Sequence, residues 1–279
     1  CALPISATDD PAHELGYYDI LGQLGVPFFH FGGKSATERL VRLCGITQGS
    51  RVLVMGCGTG YSACHIAQTF GCQVVGLDIA PGMVDGAIAR AKEMDLEDRV
   101  EFFVGNAYGT PFSDDHFDIV ITEFVTQFLD KENALDEYCR VLAPGGRLGV
   151  NELALDPAAP DDILRTIHEA TAGFQEAVGL PLDLAPVSQW KEWFGGAGLD
   201  DVGSERINGT YKVGEILKGF GGFGGSVKTL YTAGAMFLSS KRLRREAMQV
   251  GKLKTVTMNN RKTRRYIAAY LITGTKPTV

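Results

Sequence analysis

The sequence predicts an α/β fold built on an open, mostly parallel sheet with helices on both faces, and three observations predict it. The first is the stretch 51–78. In it the apolar run Val52-Leu53-Val54-Met55 leads into Gly56-Cys57-Gly58-Thr59-Gly60, a helical pattern follows to Phe70, and a second apolar run, Val74-Val75-Gly76-Leu77, ends at Asp78. That order reads as strand, glycine turn, helix and parallel strand. The second observation is that apolar runs and helical patterns go on alternating as far as residue 153, which demands right-handed crossovers that cover both faces. The third is size: 279 residues at 45% apolar can bury the core of one large domain with an insertion.

Taken in order, residues 11–25 read as a short helix with Tyr17, Tyr18 and Leu21 on one face, followed by Val26-Pro27-Phe28-Phe29-His30-Phe31-Gly32-Gly33. Residues 34–44 form a helix that packs through Leu40, Val41 and Leu43. In the glycine turn the missing side chains permit positive φ and close approach of a ligand, and the helix N-terminus that follows turns N–H groups toward it. Asp78, at the end of the second strand, can accept hydrogen bonds from both hydroxyls of a ribose, so the unit reads as an adenosine site. A dinucleotide fingerprint would need glycine where Tyr61 stands; here the third glycine is Gly60.

Pro81 suits the first turn of the next helix, with Met83, Val84, Ala87 and Ile88 on its apolar face. A charged turn at 95–99 precedes a third strand and its turn over 100–107, and a polar loop at 109–116 precedes a fourth strand at 117–121. Asp130 is placed to cap a helix carrying Leu135, Tyr138, Val141 and Leu142, which Pro144-Gly145-Gly146 is expected to end before a fifth strand at 148–153. Helices at 160–178 and 187–198, a sixth strand at 199–207 and a last strand at 265–274 complete the core. The roughly sixty residues before the last strand, with Gly219-Phe220-Gly221-Gly222-Phe223-Gly224-Gly225, read either as a partly helical lid or as a glycine-rich connector.

The spacing Gly56-x-Gly58-x-Gly60 with Asp78 downstream resembles motifs I and II of the class I S-adenosylmethionine-dependent methyltransferases. The resemblance extends over Val100-Glu101-Phe102-Phe103-Val104-Gly105-Asn106-Ala107, Phe117-Asp118-Ile119-Val120-Ile121 and Arg140-Val141-Leu142-Ala143-Pro144-Gly145-Gly146. It implies a Rossmann-like fold: a seven-stranded mixed sheet, parallel except for its last strand, with S-adenosyl-L-methionine as cofactor. The branch most resembled contains phosphoethanolamine, glycine/sarcosine, sterol and quinone methyltransferases. It implies a helical cap over residues 1–33, a cofactor-binding core over 34–207, an insertion over 208–263 and the last strand over 264–279. Two departures stand out: Val54 replaces an acid that usually meets the methionine end of the cofactor, and Asn106 replaces an aspartate, keeping a hydrogen-bond acceptor.

The resemblance places the cofactor against Gly56, Cys57, Gly58, Thr59, Gly60, Asp78, Ile79, Met83, Asn106, Ala107 and Glu123. Candidate catalytic residues are Glu123, Glu152 and Tyr18, the last from the cap. Ligands of open α/β sheets bind outside the carboxyl ends of the strands, so Glu123 and Glu152 are expected to flank the acceptor, holding an amine or taking its proton; either could instead cap a helix or pair with a cation of the cap region. His30 reads equally as a packing residue or a substrate contact.

Charge divides along the chain. Residues 1–204 carry −18 and residues 205–279 carry +12, within a total of −6. The basic clusters 241–245 and 261–265 could serve an anionic group of a small substrate, a lipid or nucleic acid, or the acidic remainder of the chain across a subunit contact in a homo-oligomer. No aromatic N-P-P-Y or D-P-P-Y motif follows the fourth strand, which argues against nucleic acid. The expected partner is a small molecule. Six cysteines without a C-x-x-C pair suggest reduced thiols, no metal site and a cytoplasmic setting. No apolar stretch is long enough to span a bilayer. No signal-peptide pattern opens the sequence, and Cys1 in place of methionine reads as a processed or trimmed start.

Overall fold

A computed structural model of the chain describes residues 30–207 and 240–278. The elements are α1 (Gly33–Cys44), β1 (Arg51–Met55), α2 (Tyr61–Phe70), β2 (Gln73–Asp78), α3 (Pro81–Glu93), β3 (Val100–Val104) and β4 (Phe117–Glu123). A 3₁₀ turn (Thr126–Phe128) leads to α4 (Lys131–Val141), β5 (Leu142–Leu155), α5 (Asp161–Val178), α6 (Val187–Gly196), β6 (Asp200–Ile207), α7 (Lys241–Lys254) and β7 (Ile267–Thr275).

The strands form one seven-stranded sheet in the order β3-β2-β1-β4-β5-β7-β6. β1 to β5 pair in parallel, and β7 runs antiparallel to both β5 and β6. The chain leaves β1 toward β2 on one side and returns to β4 on the other, which opens a crevice at the carboxyl ends of β1 and β4.

Side chains alternate across the sheet and so divide the core. Val52, Val54, Ile119 and Ile121 pack with Leu40 and Val41 of α1 and Ala63 and Ile66 of α2 on one face. Leu53, Met55, Val120, Leu148 and Val150 pack with Leu135 and Tyr138 of α4 and Trp190 and Phe194 of α6 on the other. A third cluster joins Ile163, Ile167 and Phe174 of α5 to Val250 and Leu253 of α7 and to Phe31. The described end of the expected insertion is therefore a helix packed on α5, while 208–239 lie outside the described residues.

Asp130 caps α4 as expected, its Oδ1 accepting from Asn133 N at 3.0 Å. The expected stop at Pro144-Gly145-Gly146 is corrected. The helix ends at Val141, and β5 starts at Leu142, whose backbone is already extended. The Pro-Gly-Gly segment is held instead by the chain beyond β7: Gly145 N donates to Lys276 O at 2.8 Å and Lys276 N to Gly146 O at 2.9 Å.

Candidate active site

The glycine turn sits at the crevice. Gly56, Gly58 and Gly60 have φ of 66°, 53° and 74°, the left-handed region in which a side chain is strained. A Cβ on Gly56 would lie 2.4 Å from a methyl of Val125, and one on Gly60 2.8 Å from both Ala87 and Phe102. Close packing and backbone conformation therefore both require glycine there.

Asp78 ties the turn to β2: its Oδ2 accepts from Gly58 N at 2.8 Å and its Oδ1 from Ala80 N at 3.0 Å. Burial raises its pKa above the ordinary carboxylate value, against the pull of these N–H donors. Arg90 braces the turn from α3, donating through Nε to Thr59 O at 2.8 Å. Cys57 is buried behind the turn, its thiol pushed well up by burial, with the Asp78 carboxylate adding to the shift. Met83 is buried, whereas Ile79, Val104 and Tyr108 expose apolar surface at the ends of β2 and β3. The Oδ1 of Asn106 accepts from Tyr108 N at 3.0 Å, closing the turn that carries Ala107.

A carboxylate at the end of β4 forms the other wall. The Glu123 side chain is only 5% exposed; Ser62 Oγ donates to its Oε2 at 2.6 Å, and Thr37 Oγ1 lies 3.0 and 3.1 Å from its two oxygens. Asn151 Nδ2 lies 3.4 Å from Oε1, as does His30 Nδ1. An ionised carboxylate offers about four acceptor sites. The hydroxyls of Thr37 and Ser62, the Asn151 amide and the His30 ring gather around them. Asn151 Oδ1 is buried without a hydrogen-bond partner among the described residues.

Glu152 does not share this site. Glu123 pairs in register with Asn151, so Glu152, one residue later, points to the opposite face. Its Oε1 accepts from Val125 N at 3.0 Å and Thr126 N at 2.8 Å, which corrects the expectation that the two carboxylates flank one acceptor. Burial drives Glu152 up to about 8. Tyr18 and the rest of the expected cap before His30 lie outside the described residues.

Sequence reasoning passed over Thr37, Ser62 and Val125. Ser62 could have been found from its place in the first turn after the glycines; Thr37 meets Glu123 only through tertiary packing and leaves no sequence signal. His30 is buried beside Glu123, Asn151 and Thr37.

Five cysteines, Cys44, Cys57, Cys64, Cys72 and Cys139, are free and buried, and burial raises the thiol pKa at each. Among the described residues no group of three or more His, Cys, Asp or Glu is placed to hold a metal ion, and no helix is long and apolar enough to cross a membrane.

A glycine turn pinned by a strand-end acid, beside a carboxylate at the switch point of a parallel sheet, defines an α/β protein built to hold a nucleoside-bearing cofactor. Residues 52–146 match the family model described as "Methyltransferase domain", and the chain built around them has the class I S-adenosylmethionine-dependent methyltransferase fold. The chain is 34% identical over 162 residues to "O-methyltransferase resE" of Aspergillus sclerotiorum, across 56% of this chain and 58% of that one. The first curated relatives are matched over 49% to 63% of their own length. Among solved structures, "Crystal Structure of the [4+2]-Cyclase SpnF" superposes with a TM-score of 0.69 at 22% identity, covering 94% of both chains. A geranyl diphosphate methyltransferase in complex with SAM superposes with a TM-score of 0.61 at 17% identity, over 87% of this chain and 84% of that one. At these identities the likeness of the two structures is one of fold.

Proposed function

We propose that the chain transfers a methyl group from S-adenosylmethionine to a nitrogen, carbon or oxygen of a small molecule. One observation carries this reading: within the segment that matches the methyltransferase domain, Asp78 pins a turn of three left-handed glycines at the sheet's switch point. The residues fit the cofactor. The Asp78 carboxylate, which serves the backbone N–H groups of Gly58, Ile79 and Ala80, keeps an acceptor position for a ribose hydroxyl, and Ile79, Val104 and Tyr108 offer an apolar bed for a purine. The Glu123 carboxylate, with Asn151 Oδ1, suits the ammonium at the amino-acid end. That acid stands on the same sheet face as Val54 and on the neighbouring strand, close to where the resemblance would place a carboxylate.

When bound, the sulfonium supplies a methyl already activated for attack. The chain's own residues then need only hold the two reactants in line and keep water away, so no nucleophilic side chain is required. Calorimetric titration with S-adenosylhomocysteine, followed by incubation of metabolite fractions with labelled S-adenosylmethionine, tests the proposal; binding without label transfer to any fraction would defeat it. That outcome would favour a second reading, cofactor binding without methyl transfer, which Val54 and the end-to-end likeness in fold to the [4+2]-cyclase SpnF support. An anionic group on the substrate, met by exposed Lys241, Arg245 and Lys252 of α7, is a finer proposal on the same footing.

A further inference from the structure

We infer that Glu152 is a positioning residue: from the far face of the sheet it anchors the turn after β4, and through Val125 that turn sets the glycine turn that holds the cofactor. The inference rests on the cofactor reading above.

The turn needs an anchor. Phe124 leaves β4 with φ of 62°, a left-handed conformation costly for a residue with a side chain. The next two backbone N–H groups, of Val125 and Thr126, converge on one atom, Glu152 Oε1, at 3.0 and 2.8 Å. Glu152, Thr126 and Gln127 are 1% exposed or less, so without that oxygen Thr126 N–H would be stranded away from water. The adjoining bonds hold other parts of the turn: Phe124 N donates to Asn151 O at 2.8 Å, and Leu153 N reaches Gln127 Oε1 at 3.4 Å.

The turn in its place touches the cofactor loop. Val125 methyls occupy the space beside Gly56, at 2.4 and 2.8 Å from where a Cβ would stand. A shift of the turn would therefore free or crowd Gly56, the first residue of the glycine turn. Interiors transmit such displacements because they are close-packed.

The charged and titratable groups that act on Glu152 come from α4, Lys131 and Tyr138, and Lys131 is itself acted on by Asp183, before α6, and by Asp130. Lys131 is shared: its Nζ donates to Gln127 O at 3.2 Å and lies 3.7 Å from Asp183. Glu152 Oε2 has no hydrogen-bond partner among the described residues. An acid buried in that way, raised to about 8 by its surroundings, changes charge near neutral pH, and a change in how Oε1 accepts should reach the two amides.

The experiment compares the wild-type chain with Glu152→Leu and Glu152→Gln, following amide exchange at Val125 and Thr126 and affinity for S-adenosylhomocysteine. Glu152→Leu removes the acceptor: the two amides should lose protection by about tenfold or more while those of β4 and β5 stay protected, and affinity should fall by a similar factor. Glu152→Gln keeps an acceptor oxygen without the charge. It should hold affinity within about threefold of wild type and abolish the change in protection of the two amides that wild type shows across pH about 8. Unaltered protection in Glu152→Leu overturns the anchoring, and faster exchange with unchanged affinity overturns the link to the cofactor. Should Glu152→Leu not fold, Glu152→Asp decides, because its carboxylate falls one methylene short of the two amides and unaltered protection there refutes the inference. Failure of the wild type to bind S-adenosylhomocysteine sinks the cofactor reading, while the exchange data still decide the anchoring.

Discussion

Glu123 at the end of β4 and Glu152 of the neighbouring parallel strand β5 point to opposite faces of the sheet, because the register partner of Glu123 is Asn151. One carboxylate gathers side-chain donors from α1 and α2, the other gathers backbone N–H groups from the turn after β4. Their chemistry differs accordingly. Glu123 is surrounded by rotatable hydroxyls that can rearrange around a bound cation, whereas Glu152 is locked to a backbone that cannot.

Replacing Glu123 should therefore reveal which end of the cofactor it meets. Glu123→Gln should weaken S-adenosylhomocysteine binding by about 1.5–3 kcal/mol, the usual worth of a hydrogen bond to a charged group. Methylthioadenosine has no amino-acid end and should bind both proteins alike. Calorimetry with the two ligands makes the comparison, and an equal loss for both would move Glu123 away from the ammonium.

Asp78 has two duties, holding its own loop and offering lone pairs to a ribose. Asp78→Ala should cost about 1.5–3 kcal/mol of cofactor binding and also lower the melting temperature, because Gly58 N–H and Ala80 N–H lose their acceptor. Its pKa is raised by burial, so wild-type affinity should begin to fall with acidification at a higher pH than an ordinary carboxylate would dictate. A pH series of titrations checks this, with Asp78→Ala as the flat reference.

Much of this was legible in the sequence, and the reason is local. Strand, turn and helix between Arg51 and Asp78 are fixed by neighbours along the chain, so periodicity and glycine spacing suffice. Asp130 announced its helix because a cap acts over three residues. What stayed hidden depends on register. Whether Glu123 and Glu152 share a face turns on a one-residue offset between β4 and β5, which apolar runs on both strands cannot reveal. The start of β5 at Leu142 was masked for a similar reason: Pro-Gly-Gly usually ends a helix, and what makes this segment extended is pairing of Leu142 with Phe117 and bonds to Lys276, more than a hundred residues away. Thr37 reaches Glu123 across 86 positions.

The glycine turn can be tested by contrast with a glycine that has room. Gly56→Ala puts a Cβ 2.4 Å from Val125 at a φ of 66°, and should destabilise the fold by about 1–3 kcal/mol while impairing cofactor binding. Gly82→Ala, in the first turn of α3, meets nothing within 4 Å, and should be neutral or stabilising by up to about 1 kcal/mol. Thermal melts with and without S-adenosylhomocysteine should place Gly56→Ala below the wild type and Gly82→Ala at or above it. Equal melting temperatures would mean that the Val125 contact yields freely.

Glu152 makes the last prediction, on stability against pH. Its folded pKa of about 8 lies above the value of about 4.3 for an unfolded glutamate, so between those limits the folded chain binds a proton that the unfolded chain has released. The stability it contributes is fully present below the unfolded value and is lost as pH rises through about 8. The loss has a limiting slope of about 1.4 kcal/mol per pH unit. Glu152→Gln has no such proton, so the difference in unfolding free energy between wild type and Glu152→Gln should decline steadily from pH 5 to pH 8 and level off above. Urea unfolding at a series of pH values measures it, and subtracting the variant removes the contributions of Asp78 and the paired surface acids. A difference that stays flat over this range would place the Glu152 pKa near that of an exposed carboxyl, and with it would go any role for its titration in holding Val125 and Thr126.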